Sequence, residues 1–248
     1  MSAGGVGAGS ASEPGSANES RSATEPGEPD AASESHRGLV VERLLERLRA
    51  VHPERRALVA LDGVDGVGKS HLAAELVLRA QRTGGRPVVN VGIDGFHAPR
   101  AQRAAVGLGP EGAYRGSYDY AAFRACVVEP LHRGEPITPE VWDVDADAPV
   151  TLRTVEVPPG ALVVVDGIFL QRPELRAVWD AAVWVGAPFE VTVPRGAVRY
   201  PGPHDPDPEA PSNHRYVGGQ RLYLAEARPR ERADWLFDNT DLVHPVLR

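Results

Sequence analysis

One stretch limits what this chain can fold into more than any other: ALVALDGVDGVGKSHLAAELVLRA, residues 57–80. It opens on a continuous apolar run, Leu58 to Leu61, that reads as a buried strand, and closes on apolar residues at helical spacing. Between them GVDGVGKS, residues 63–70, matches G-x-x-x-x-G-K-[ST]. Gly63 and Gly68 let the backbone curl until successive N–H groups face one concavity. A helix beginning near Lys69 aims its positive N-terminal end at the same point. Lys69 then reaches the outer phosphates of a nucleotide, and the Ser70 hydroxyl takes a place on Mg2+. With Asp65, Gly66, Val67 and His71 around them, these residues read as a nucleotide-phosphate cradle.

The use of cations elsewhere sharpens that reading. Of 27 basic residues only Lys69 is lysine; the other 26 are arginine. Arginine is a planar fork, whereas lysine is a compact charge on a flexible stem that fits between phosphate oxygens. The single lysine falls where that chemistry is needed.

Net charge −7 speaks against a nucleic-acid-binding surface. One cysteine excludes an internal disulfide, and Cys126 sits in an apolar helical pattern as a small core residue. No run approaches membrane-spanning length and no signal-peptide core is present, so the expected compartment is the cytoplasm. The sequence is compatible with an oligomer.

Residues 1–37, rich in Gly, Ala, Ser, Glu and Pro, read as a disordered acidic tail, either a solvated segment or an interaction arm. Residues 38–248 read as one domain. Apolar positions 39, 40, 41, 44, 45, 48 and 51 predict an amphipathic helix that Pro53 ends. A second strand, Val88 to Ile93, delivers Asp94 at its C-terminal end, the edge where open α/β sheets bind ligands. Residues 98–118 read as a long irregular loop, and Asp119 as the N-cap of a helix to about Leu131, with substrate contact as the other reading. In VWDVDADAP, Asp143, Asp145 and Asp147 would share one face of a strand and could hold a metal or sugar hydroxyls; a solvated turn fits equally. ALVVVDGIFL (161–170) is an apolar strand ending in Asp166, the expected acid near Mg2+. A further strand runs from Ala181 to Val185. Arg195 and Arg199 stand at i and i+4, either on a solvated face or facing phosphate. The proline-rich stretch 200–215 reads as an extended mobile lid, followed by a short helix, Arg228 to Arg232, and a strand into Asp238.

GVDGVGKS, VGIDGFH, GSYDYAAFRACVVEPL, VVVDGIFLQRPELRAVWD, RYVGGQRLYLAEARP and DNTD, in this order over residues 57–244, resemble the uridine kinase and phosphoribulokinase-like branch of P-loop kinases. The resemblance implies an α/β P-loop NTPase fold: three layers, a mostly parallel sheet flanked by helices, and a lid loop. It implies transfer of phosphate from ATP, with Mg2+, to a small-molecule hydroxyl. Asp94 matches the aspartate that accepts the acceptor's proton, Asp166 the Mg2+ acid, and Arg195 and Arg199 the arginines that stabilise the transferring phosphoryl. Asn239 falls with the nucleotide; Phe96, His97, Tyr114, Trp142, Arg215 and Gln220 fall with the substrate. His97 replaces a tyrosine. The family's Tyr-Asp-Phe-x-x-His stretch reads Trp142 to Asp147 and lacks its histidine; Trp142 either stacks on a substrate ring or packs in the core.

Three functions compete: a kinase of a pyrimidine nucleoside (uridine or cytidine), a kinase of another hydroxylated metabolite such as a sugar phosphate or pantothenate, and an ATP-binding protein without kinase activity. A GTP switch would need a second lysine in its guanine motif. In a transporter ATPase the Gly-Gly-Gln signature precedes the second acidic strand, whereas Gly218-Gly-Gln220 follows Asp166.

Overall fold

Each continuous apolar run becomes a strand, and the register of those strands decides which acids meet at one edge. The structure, a computed structural model, describes residues 31–199 and 205–248. The strands are β1 (Ala57–Gly63), β2 (Val88–Gly92), the short hairpin β3 (Trp142–Asp143) and β4 (Ala148–Pro149), β5 (Leu162–Gly167), β6 (Ala181–Gly186), β7 (Trp235–Asp238) and β8 (Val246–Leu247). The main sheet has the order β2-β5-β1-β6-β7-β8. All its pairings are parallel except that of β7 with β8. β1 and β5 are buried along their whole length, which explains their unbroken apolar runs: both faces of a parallel sheet are covered.

Helices flank this sheet. They are α1 (Ala31–Arg49), α2 (Lys69–Thr83), α3 (Arg100–Val106), α4 (Pro110–Gly116), α5 (Tyr120–Phe123), α6 (Glu129–Arg133), α7 (Phe189–Arg199), α8 (His214–Ala227) and α9 (Pro229–Arg232). α2 packs along β1, β2 and β5, and α1 packs on α2. Leu44, Leu45 and Leu48 of α1 join Leu72 and Leu76 of α2 in the buried core. Burying each such side chain contributes about 1.5–3 kcal/mol. α1 begins at Ala31, inside the stretch that reads as tail; residues 1–30 lie outside the described residues.

Three stretches differ from the sequence reading or go beyond it. Residues 98–118 are largely two short helices, α3 and α4, not an irregular loop. Neither is long enough to be helical on propensity; α4 forms because it buries Ala113 and Tyr114. α8 is a helix that the sequence conceals, because Gly218 and Gly219 sit in its middle at about 1 kcal/mol each against helix. The same pair permits the packing: a Cβ on Gly219 would lie 2.9 Å from both the Ala113 methyl and the Pro110 carbonyl. The third concerns the stretch 200–215, expected as an extended lid. Residues 200–204 lie outside the described residues, and residues 205–215 form a turn, a 3-10 helix (Pro211–Asn213) and the start of α8.

Elsewhere local chemistry behaves as the sequence implies. Asp119 caps α5 by accepting the Ala122 N–H. Between α5 and α6 the helix carries a π-bulge, Arg124–Val128, just before Pro130. Proline cannot donate to the carbonyl four residues back, on Cys126, and the Thr138 N–H takes that carbonyl at 2.8 Å instead. In VWDVDADAP the acids share no strand face. Asp143 accepts the N–H groups of Asp145 and Ala146, while Asp147 has φ +50° and accepts the Arg100 N–H at 2.8 Å.

Candidate active site

The cradle closes the end of β1. Gly66 and Gly68 have φ of +72° and +93°, the left-handed region that glycine enters without strain, and a Cβ on Gly66 would collide with the Thr192 carbonyl of α7. Val67 is buried, Gly63 ends β1, and His71 is exposed on the first turn of α2. Lys69 is mostly buried, and its Nζ donates to the Val64 carbonyl at 2.8 Å, holding the ammonium inside the loop. Ser70 Oγ donates to Asp166 Oδ2 at 2.7 Å. Asn90 Nδ2 donates to the other oxygen of Asp166 at 2.9 Å, so the carboxylate is braced on both sides. Hydroxyl and carboxylate together form a hard oxygen pair of the kind Mg2+ takes, the rest of its shell coming from water and phosphate. Among the described residues no group of three or more His, Cys, Asp or Glu side chains is placed to hold a metal ion.

Asp94 comes next, on a 3-10 turn (Ile93–Phe96) directly after β2. β2 pairs with β5 so that Gly92 lies opposite Asp166, and β5 pairs with β1 so that Gly167 lies opposite Asp62. The strand order therefore sets Asp94, Asp166 and the cradle side by side along one C-terminal edge. The Asp94 side chain is 72% exposed, with one oxygen, Oδ1, accepting the Tyr118 hydroxyl at 2.8 Å. His97 bonds the Asp94 main-chain carbonyl through Nδ1 at 2.8 Å.

Other expected site residues serve the frame. Phe96 and Tyr114 are fully buried, Phe96 edge-on to Phe123 and Tyr114 between Phe169 and Tyr223, so neither offers a face to a ligand. Gln220 is buried too: its Oε1 accepts the Asp65 N–H at 2.8 Å and its Nε2 faces the Asp65 carboxylate at 3.3 Å. That clamp ties α8 to the cradle. Asn239 is fully buried and props the loop by donating to the Val67 carbonyl at 2.6 Å. Arg195 spends its guanidinium on the Asn239 and Thr240 carbonyls, at 2.9 and 2.7 Å. Arg199 ends α7, and its side chain lies outside the described residues. Arg215 sits on α8 and donates to the Leu108 carbonyl at 3.3 Å. Trp142 is half-buried on β3, which docks on the Asp94 turn through the Val141 N–H to the Gly95 carbonyl at 2.8 Å. Its indole N–H is buried without a partner.

Two anchors escape the sequence motifs. Asp62, one residue before the cradle, is fully buried; it accepts the Gly63 N–H (2.9 Å), the Gln171 amide (3.1 Å) and the Tyr223 hydroxyl. Burial pushes its carboxyl up to about 6, with the Tyr223 hydroxyl, the Lys69 charge, the Leu170 N–H and the Gln171 amide pulling the other way. An acid in an otherwise apolar strand is the available signal. The second anchor is Arg37 on α1, which pairs with Glu75 of α2 and donates to Asn239 Oδ1 at 3.0 Å and the Leu242 carbonyl at 2.9 Å. It lies within the stretch that reads as tail.

No family model matches the chain. Solved structures do. A structure described as a possible uridine kinase from Bacillus stearothermophilus shares 23% identity over 80% of this chain and 97% of its own, with a TM-score of 0.64. A putative fructose transport system kinase from Silicibacter sp. TM1040 shares 27% identity over 79% of this chain and 94% of its own, at a TM-score of 0.57. The chain has the fold of uridine kinase-like P-loop kinases. A third structure, of the YGR205w protein, aligns over 84% of this chain and 98% of its own at 11% identity and the same TM-score of 0.57. Among the described residues no helix is long and apolar enough to cross a membrane.

Proposed function

We propose that this chain is an ATP-dependent kinase that moves the terminal phosphoryl group to a hydroxyl of a small molecule, with a pyrimidine nucleoside as the first acceptor to test. The observation that carries this reading is the juxtaposition of three parts on one sheet edge: the cradle after β1, Asp166 on β5 and Asp94 after β2. A cradle alone suits switches and motors as well; an exposed carboxylate beside it is what an acceptor hydroxyl needs. Gly66, Gly68 and Lys69 would hold the phosphates, and Ser70 with Asp166 would hold Mg2+. When bound, the metal neutralises charge on the phosphate oxygens. Asp94 would take the proton of the acceptor hydroxyl and orient its oxygen for in-line attack.

The acceptor could instead be a sugar phosphate or pantothenate, and one observation favours that second reading. Where nucleoside kinases carry an aromatic and a histidine against the pyrimidine, this chain folds a tight acidic turn from Asp143 to Asp147 that is spent on its own backbone and on Arg100.

ADP release across nucleosides, sugar phosphates and pantothenate tests both readings. Turnover with uridine or cytidine supports the first; turnover confined to the other acceptors removes it and supports the second. With the active acceptor, Asp94→Asn should lower kcat by about 10²-fold or more while ATP binding persists. Near-normal turnover in that variant removes Asp94 from its role.

A further inference from the structure

Asp94 is exposed, and an exposed carboxylate rotates freely about its last torsion. A general base needs the opposite: one oxygen held toward the hydroxyl it will deprotonate. The fold supplies that constraint from a distant segment. Residues 96–98 and 117–119 pair as a short antiparallel ladder. The Asp119 N–H donates to the Phe96 carbonyl at 2.8 Å, and the Ala98 N–H to the Ser117 carbonyl at 2.9 Å. A bridge between His97 and Tyr118 lies between them. This pairing sets the Tyr118 ring against His97, at 4.6 Å between centroids, and beside Tyr120 at 5.9 Å. The ring is buried, so its position is set by packing, and its hydroxyl ends 2.8 Å from Asp94 Oδ1.

We propose that Tyr118 is a positioning residue for phosphoryl transfer: its hydroxyl holds Oδ1 of Asp94 and thereby presents Oδ2 to the acceptor hydroxyl. This rests on the reading of Asp94 as the base. The hydroxyl is a fixed donor there. Burial, together with the neighbouring Asp94 and Asp65 carboxylates, raises the Tyr118 hydroxyl well above its ordinary range, so it keeps its proton at any working pH. A phenol aimed at a carboxylate makes a charge-assisted bond, stronger than a neutral one. His97 supports the same turn at the backbone, and its Nδ1 stays 3.9 Å from Oδ1, beyond bonding distance. Tyr118 is thus the side chain found to hold the carboxylate directly.

The test is a double-mutant cycle on the full chain, with the acceptor that gives turnover: wild type, Tyr118→Phe, Asp94→Asn and the double variant. Phenylalanine keeps the ring and its packing, and a melting temperature within experimental scatter of wild type checks that. If Tyr118 acts through Asp94, Tyr118→Phe lowers kcat by about tenfold or more and leaves the KM for ATP unchanged. The double variant is then no slower than Asp94→Asn alone, because the hydroxyl has lost what it positions. Losses that multiply in the double variant, or a Tyr118→Phe enzyme with wild-type kcat, overturn the inference while leaving Asp94 as the base. A wild-type rate in Asp94→Asn overturns both.

Discussion

Asp62 gives the fold a stability signature that can be worked out in advance. Its carboxyl is fully buried, and burial raises it from an ordinary 3.8 to about 6. That difference corresponds to about 3 kcal/mol at about 1.4 kcal/mol per pH unit. The sign comes from linkage: the folded state binds this proton more tightly than the unfolded one, so the contribution is fully present below 3.8 and is lost as pH rises through about 6. Asp62→Asn keeps the shape and abolishes the titration. Urea unfolding of both proteins between about pH 4.5 and 7.5 measures the difference. Relative to the variant, wild type should lose about 2 kcal/mol over that range, nearly all of it below about pH 6.5. The variant's absolute stability also changes, because an amide has one acceptor oxygen and cannot serve both the Gly63 N–H, on one carboxylate oxygen, and the Gln171 and Tyr223 donors, on the other, but that offset does not depend on pH. A gap between the two proteins that stays constant across the whole range would refute the reasoning, since it would mean that Asp62 keeps an ordinary carboxyl in the fold.

At the edge of the sheet, Lys69→Ala should abolish turnover and weaken ATP binding in a calorimetric titration; persistent activity would show that the cradle assignment is wrong. Asp166→Asn should raise the Mg2+ concentration needed for half-maximal rate by about tenfold or more, and an unchanged Mg2+ dependence would remove Asp166 from the metal edge. Arg37→Ala strands the buried Asn239 side-chain oxygen, Oδ1, and breaks the pair with Glu75, so it should cost about 1–3 kcal/mol in urea unfolding. A loss below about 0.5 kcal/mol, the range of an ordinary surface change, would mean that α1 does not brace the cradle.

What the sequence discloses and what it hides divide along a physical line. Strand, turn and helix of the cradle arise from chain-local chemistry, so residues 57–80 fold as their pattern implies. Asp166 and Asp94 are legible because apolar strands that end in an acid deliver it to the sheet edge. Roles set by side-chain contacts across the fold are not legible. Gln220 belongs to a motif stretch but is used to clamp Asp65, 155 positions away, and Arg37 looks like tail until α2 and Asn239 are placed beside it. Phe96 and Tyr114 are placed with the substrate by the resemblance, which matches positions in the chain and not burial. Burial, which depends on the helices packed over them, assigns them to the core instead. α8 is hidden because Gly218 and Gly219 are costly alone and favourable only against α4.

A chain with a single lysine has a single ε-amine, and here that amine is folded into the cradle with its nitrogen on the Val64 carbonyl. Amine-directed chemistry on this protein is therefore site-directed without engineering. Apart from the N-terminal amine, a pyridoxal or succinimidyl reagent has one place to react, and a bound nucleotide would shield it. Protection of that amine by nucleotide, measured by intact mass, would then report on occupancy of the proposed cradle, and acetylation or ubiquitination of a lysine side chain within these 248 residues could fall only on Lys69, the residue proposed to hold phosphate.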